Sequence, residues 1–249
     1  MSEKKLTAGR EIKTAEEIQK IKNAQEITDK AFIEILKFIR PGLSELEIAH
    51  KLEQIVLSLG ADDVSFDIIA ASGENGEFPH AVPTKRKLQY GDMLTLDYGA
   101  KLDGWHSDMT RTIAIGEISA EQILVFDTVL RAQTAVLDML KSGVRCADAD
   151  KIARDIIENA GYEGCFKHGL GHGIGLEIHE APRLAKTSEA VLEPGMVVTV
   201  EPGIYVDGKY GVRIEDTVVI LEDGAENITK TGKSLIADIN FKDNMDERT

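Results

Sequence analysis

Asp97 and Glu201 stand in two copies of one short pattern, and each is followed by a second acid. Gly91-Asp92-Met93-Leu94-Thr95-Leu96-Asp97-Tyr98-Gly99 recurs 104 residues later (195 − 91) as Gly195-Met196-Val197-Val198-Thr199-Val200-Glu201-Pro202-Gly203. Glycine, threonine, an acid and glycine occupy matching positions. Asp108 follows the first acid and Glu215 the second, 107 residues apart (215 − 108). The acids are flanked by Leu94, Leu96, Val198 and Val200, an apolar setting that argues against surface ion pairs. A carboxylate in such a setting is unfavourable unless a cation or hydrogen bonds compensate it. Four of them predict something positive held between two similar halves.

Between the acidic pairs lies His168-Gly169-Leu170-Gly171-His172-Gly173-Ile174-Gly175-Leu176-Glu177-Ile178-His179-Glu180. Its four alternate glycines remove side chains so that backbone can approach a neighbour closely. Three of the six histidines fall in this run. Four carboxylates and one histidine can supply ligands for two divalent cations with the charge nearly balanced. Such an oxygen-rich set with one imidazole suits manganese, iron, cobalt or zinc. Two ions about 3.5–4 Å apart can hold a bridging hydroxide and polarise a carbonyl, which is the apparatus of hydrolysis.

The elements that must position these groups are also duplicated. Gly42 precedes an amphipathic stretch ending at Gly60, and Gly143 precedes one ending at Gly161, both at an offset of 101 (143 − 42, 161 − 60). Capping boxes at Thr14-Ala15-Glu16-Glu17, Ser44-Glu45-Leu46-Glu47 and Ser119-Ala120-Glu121-Gln122 predict three helix starts. The first helix is expected to run to about Arg40, the second to near Gly60, and a fourth to span about 146–160. Asp103-Gly104 predicts a two-residue turn between strands 93–102 and 105–115. That register sets Asp97 opposite Thr110 and Asp108 opposite Gly99, so the two carboxylates are diagonal neighbours with Gly99 making room. Asp207-Gly208 is a turn candidate in the second half. The sum is an α+β fold, a pseudo-two-fold duplicated half in which helices cover one face of a curved, largely antiparallel sheet.

A net charge of −14 repels phosphate backbones, so nucleic acid is not an expected partner. The start Met1-Ser2-Glu3-Lys4-Lys5 is polar with no apolar run behind it, which predicts neither a secretory signal nor a membrane partner and leaves the cytoplasm as the default. Cys146 and Cys165 lack metal-ligand spacing and are read as reduced structural thiols.

Taken together, several motifs resemble the pita-bread metallopeptidases, and within them the Xaa-Pro peptidases, prolidase and aminopeptidase P. They are Pro79-His80-Ala81-Val82-Pro83-Thr84, Leu96-Asp97-Tyr98-Gly99-Ala100, Ser107-Asp108-Met109-Thr110-Arg111-Thr112, the 168–180 run, Glu201-Pro202-Gly203-Ile204-Tyr205 and Val212-Arg213-Ile214-Glu215-Asp216. The resemblance, from about residue 11 to 235, implies a pita-bread fold with two bound divalent metals, manganese or cobalt before zinc or iron. It implies metal ligands Asp97, Asp108, His172, Glu201 and Glu215. It implies His80 and His179 at the scissile bond with His168 close by, and Glu201 as proton shuttle. Arg183 matches an arginine that grips the substrate's free carboxylate, while Arg213 matches one that fixes a ligand carboxylate, with Tyr205 as its neighbour; these three make the substrate side of the site. The implied reaction is hydrolysis of the Xaa-Pro bond of dipeptides or peptide N-termini, the implied partner a proline-containing peptide.

The expected organisation is a single catalytic domain over 1–249, with halves of about 11–116 and 117–235. The usual N-terminal domain of prolidase and aminopeptidase P, which helps form their dimer, is not expected here, so a homodimer stays an open expectation. Its absence favours methionine aminopeptidase as the alternative, as does Gly104-Trp105-His106-Ser107-Asp108; Arg213-Ile214-Glu215-Asp216 and Glu201-Pro202-Gly203 argue against it. A non-catalytic pita-bread binding module is disfavoured, because all five ligand positions are filled.

Overall fold

The computed structural model describes residues 10–235; the polar start Met1–Lys5 lies outside them. Each half opens with two helices, α1 (Ala15–Leu36) and α2 (Glu45–Ser58), then α3 (Ala120–Met139) and α4 (Cys146–Asn159). Thr14, Ser44 and Ser119 accept the backbone N–H of Glu17, Glu47 and Gln122, whose side chains return the bond to the cap. Each box satisfies N–H groups that the helix cannot satisfy itself. The start of α4 has no such box, and Arg145 caps it without a side-chain bond. α1 stops at Leu36, short of the expected Arg40. The Lys37 and Phe38 N–H groups bond three residues back, to Glu34 and Ile35, so the last turn tightens before Pro41-Gly42 is reached.

The strands of the first half are β1 (Asp63–Val64), β2 (Ile69–Ser72), β3 (Met93–Tyr98), β4 (Ala100–Leu102), β5 (Trp105–His106) and β6 (Met109–Ala114). Those of the second are β7 (Gly171–Gly173), β8 (Glu180–Leu184), β9 (Val197–Val200), β10 (Gly203–Val206), β11 (Tyr210–Arg213), β12 (Asp216–Ile220) and β13 (Ala225–Asn227). Every named pairing is antiparallel. The order β2-β3-β6 in one half is matched by β7-β9-β12 in the other, with β8 and β13 added at the edges.

The first hairpin has the predicted register. Asp103 (φ 50°) and Gly104 (φ 80°) both adopt the left-handed conformation that a type I′ turn requires, and Asp97 pairs with Thr110. The role expected of Gly99 differs. A Cβ there would stand 1.8 Å from the Ser107 carbonyl oxygen, so the glycine makes room for crossing backbone and not for carboxylates. In the second hairpin Val206 pairs with Tyr210, leaving a three-residue loop, 207–209, that contains Asp207-Gly208. The flanking pairs Val200↔Asp216 and Gly203↔Arg213 set Glu201 opposite Glu215 between two ladders.

Strand alternation then separates core from site. Leu94, Leu96 and Tyr98 pack with Ile35, Ile48 and Leu52 of α1 and α2, while Val198 and Val200 pack with Val129, Val136 and Ile157 of α3 and α4. All of these are buried. Asp97 and Glu201, one position on from Leu96 and Val200, face the other way, away from both helix pairs. A smaller cluster of Ile21, Trp105, Ile174, Val197, Val219 and Ile228 joins the halves.

Candidate metal centre

Asp97 comes from β3, Asp108 from the β5–β6 junction, His172 from β7, Glu201 from the end of β9 and Glu215 from the β11–β12 junction. They line one cleft of about 220 Å³ together with His80, His168, His179, Arg183 and Arg213. Tyr205 is buried behind its wall. The glycine run is what allows this closeness. A Cβ on Gly171 would lie 2.1 Å from the Thr199 carbonyl oxygen, and one on Gly173 2.2 Å from that of Ala181, so β7 fits between its neighbours only without side chains there.

His172 Nε2 stands 3.6 Å from Asp108 Oδ2 and 3.5 Å from Glu201 Oε1. Its Nδ1 faces the Gly173 carbonyl at 3.0 Å and so carries the proton, which leaves a lone pair on Nε2 aimed at carboxylates. Burial lowers the pKa of this imidazole to about 4, so it is neutral near pH 7. Burial drives the carboxyl groups the other way: Asp108 and Glu215 rise well above the usual range, and Glu201 to about 8. After burial, repulsion among the acids adds to each shift, from Glu215, Asp97 and Glu201 at Asp108, from Glu201 and Asp97 at Glu215, and from Asp97 at Glu201, which Arg213 partly offsets. Asp97 Oδ1, Asp108 Oδ1 and Glu215 Oε1 are buried with no hydrogen-bond partner among the described residues. Ligand atoms of Asp108, His172 and Glu215 all lie within 4.8 Å of one another. Orphaned carboxylate oxygens around an imidazole lone pair fit a divalent metal, which would remove both the repulsion and the desolvation penalty.

The carboxylates are held from behind. Arg213 donates to Asp97 Oδ2 at 2.6 Å, Tyr205 Oη at 2.7 Å, Thr110 Oγ1 at 3.0 Å and the Pro79 carbonyl at 3.1 Å. Thr110 passes its own proton to Glu215 Oε2 at 2.7 Å. Tyr205 Oη lies 2.7 Å from His168 Nε2, and His168 Nδ1 2.7 Å from the Gly169 carbonyl, so protons run from arginine to tyrosine to histidine to backbone in one direction. Burial, with Arg213 adding, lowers His168 to about 3 and keeps it neutral in that chain. Arg111 Nη1 donates to the Glu215 carbonyl at 2.5 Å and fixes its backbone. Arg183, opposite His172 on β8, is exposed and makes no hydrogen bond or ion pair within the described residues.

The sequence matches metallopeptidase family M24 over residues 19–222. The chain belongs to that family. Among its M24 relatives, an Xaa-Pro dipeptidase of Pyrococcus furiosus is 44% identical over 225 residues, which are 90% of this chain and 65% of that protein. A solved structure of an Xaa-Pro dipeptidase from Bacillus anthracis superposes with TM-score 0.91 at 49% identity, covering 93% of this chain and 65% of the other. The X-Pro aminopeptidase of Thermotoga maritima superposes at 0.92 with 41% identity, covering 94% and 67%. The chain spans 64–65% of the length of the first curated relatives it matches. These likenesses establish the pita-bread fold, and the buried cluster of Asp108, His172 and Glu215 fits the metal that a family M24 metallopeptidase uses.

Two threonines behind the cleft and three apolar residues in its wall complete the site. Thr110 and Thr199 place the ligand side chains, Thr199 by donating to Glu201 Oε1 at 3.3 Å and accepting the His172 N–H at 3.0 Å. Thr199 was visible as the repeated threonine, and Thr110 as the residue facing Asp97. Phe66, Ile69 and Ile178 form the apolar part of the wall, and no local signal marks them. His106, which follows Trp105 in the methionine aminopeptidase-like segment, is buried outside the cleft with Nδ1 3.2 Å from the Gly175 carbonyl.

Proposed function

We propose that this chain is a dinuclear-metal peptidase that hydrolyses the Xaa-Pro bond of dipeptides or peptide N-termini. The observation that carries the proposal is the convergence of Asp97, Asp108, His172, Glu201 and Glu215 on one cleft, with three buried carboxylate oxygens unpartnered. These five residues would hold the ions, with manganese or cobalt the first choice and zinc or iron compatible with the same donors. When bound, the ions would supply Lewis-acid chemistry, lowering the pKa of water and polarising the scissile carbonyl.

The chain's own groups do the remaining work. His80 and His179 line the cleft from its exposed side, and the His179 ring packs edge-on to His172 with centroids 4.4 Å apart. Burial, then the charges of Arg183 and His80, lower the His179 pKa, so near neutrality it serves as a neutral N–H donor to the oxygen on which charge develops. Glu201 moves the proton from attacking water to departing nitrogen. Arg183, exposed at the cleft and without a partner among the described residues, can take the carboxylate of a dipeptide with both arms of its fork. Relatives named Xaa-Pro dipeptidase and X-Pro aminopeptidase support the substrate class.

The test is hydrolysis of Ala-Pro, Ala-Pro-Ala and Met-Ala-Ser side by side, with added manganese or cobalt. A proline peptide is expected to be cleaved, and exhaustive chelation to abolish the activity. Asp108→Asn is expected to lower kcat/KM by at least about 100-fold, since several kcal/mol of charge stabilisation depend on the metal. Cleavage of Met-Ala-Ser alone would overturn the proline assignment. If Ala-Pro is preferred, Arg183→Ala should lose about 10-fold on it, the worth of a hydrogen bond to a charged group, and little on Ala-Pro-Ala.

A further inference from the structure

Glu45, the first residue of α2, is fully buried and lies outside the cleft, yet its carboxylate accepts five hydrogen bonds. Oε1 takes the Ser72 N–H and hydroxyl, both at 2.7 Å. Oε2 takes the Asn75 amide at 2.8 Å, the Thr84 N–H at 2.9 Å and the Thr84 hydroxyl at 2.7 Å. Ser72 and Thr84 are the two ends of one loop, so a single side chain closes it. Near its middle stand Pro79, whose carbonyl accepts from Arg213, and His80, which reaches the cleft. His80 makes no hydrogen bond to any described residue. Its place is therefore set by the backbone on either side of it, which Arg213 holds at Pro79 and Glu45 holds at both ends.

The duplication supplies an internal control. Cys146, the first residue of α4, matches Glu45 at the same offset of 101 (146 − 45) that relates Gly42 to Gly143. Both helix starts make the same backbone bonds: Glu45 N–H to the Arg86 carbonyl at 3.1 Å, Cys146 N–H to that of Ala190 at 2.9 Å. Likewise the Gly42 and Gly143 N–H groups reach the Leu88 and Leu192 carbonyls, each at 2.9 Å. The fold thus builds this start with a cysteine, and the carboxylate is not a requirement of the helix. The halves differ in how they hold the loop that follows. The loop bearing His179 is held by the β7–β8 pairing and by Glu180, which accepts the Glu177 N–H and pairs with Lys13 at 3.0 Å. Between Ser72 and Met93 the first half has no strand of its own, but a 3₁₀ helix over Gly73–Glu77, the isolated bridge of Lys87 to Ser44 and the Arg86 ion pair with Asp92. Glu45 takes the place of that pairing.

We propose that Glu45 is the positioning residue of His80: it closes the 72–84 loop and so sets where the imidazole stands in the cleft, touching neither metal nor substrate. The catalytic part of this inference rests on the hydrolytic reading above. Glu45→Gln is the informative substitution, because the amide keeps the shape but turns two N–H groups towards donors. It preserves one side of the knot at most.

In the metal-loaded protein, Glu45→Gln is expected to lower kcat about 10- to 100-fold through misplacement of His80, with KM within about 3-fold of the parent. In a His80→Ala background the same substitution should change kcat by less than about 2-fold, its route of action being already gone. Amide hydrogen exchange over residues 73–83 should accelerate, with β9 and β12 unaffected. Thr84→Val removes one of the five bonds and should move each readout the same way by less; it stands in if Glu45→Gln does not fold. Losses that multiply independently in the double variant, or unchanged exchange over 73–83, overturn the proposal. If the parent protein cleaves none of the three peptides, the hydrolytic reading fails by itself. The exchange rates, with the imidazole NMR signals of His80, then decide the positioning role alone.

Discussion

At the scale of single residues, the site is a set of carboxylates made costly by burial and then fixed in place by one guanidinium. Arg213 reaches Asp97, Tyr205, Thr110 and the Pro79 carbonyl at 2.6–3.1 Å. Only a planar fork with five N–H groups can serve four acceptors spread this way; an ammonium offers three donors from one point. Arg213→Lys keeps the charge and should still lose about 10- to 100-fold in metal affinity, the usual cost of disturbing a ligand's support. Titration of metal into the stripped variant, followed by calorimetry, measures this; unchanged affinity would show that Asp97 does not depend on the fork. The acids themselves were legible in the sequence, because a carboxylate inside a run such as Leu94-Thr95-Leu96 has no bland explanation. Thr110 was visible only as the residue facing Asp97, and Glu45 only as part of a capping box. Their side-chain types are ordinary, and their meaning lies in partners 105 and 27–39 residues away.

At the scale of elements, whatever is decided locally could be read in advance. The three capping boxes and the Asp103-Gly104 turn depend on residues within four positions of one another, and all formed where expected. The end of α1 depended on which carbonyls the last N–H groups find, and it came early. Gly99 was assigned the right absence of a side chain with the wrong beneficiary, because only the folded backbone shows the Ser107 carbonyl beneath it. The glycine run was assigned correctly to close approach, and this yields a sharp test. Gly171→Ala places a methyl 2.1 Å from the Thr199 carbonyl oxygen, between strands that carry His172 and Glu201. It should cost at least about 1–3 kcal/mol of stability by overpacking. Gly224→Ala, with nothing within 4 Å and no positive φ, should stay within about 0.5 kcal/mol of the parent. Denaturant unfolding of the two variants beside the parent separates close approach from a general intolerance of glycine loss.

At the scale of the whole molecule, two similar halves each have a core of their own and meet across a centre crowded with like charge. That arrangement couples stability to pH and to metal. In the metal-free protein, burial first and mutual repulsion second hold Asp108 and Glu215 well above the ordinary carboxylate range and Glu201 at about 8. A group whose folded pKa lies above its unfolded value stabilises the fold fully below the unfolded value, and loses that contribution as pH rises through the folded one. For Glu201 the window runs from the ordinary glutamate value of 4.5 up to about 8. Stability of the stripped protein should therefore fall across this window by about 1 kcal/mol per pH unit for each proton retained. At about 2–4 °C per kcal/mol for a chain of this size, a single retained proton gives a Tm drop on the order of 10 °C between pH 5 and pH 8. A bound divalent metal would replace those protons as the compensating charge, and since protons must leave for metal to enter, metal affinity should rise over the same window. Thermal melts at pH 5, 6.5 and 8, with chelator or with metal in excess, should thus converge at low pH and diverge at high pH, the loaded protein keeping its Tm. A stripped protein as stable at pH 8 as at pH 5 would mean that the carboxylates find compensation without metal, and would remove the physical reason for placing metal among them.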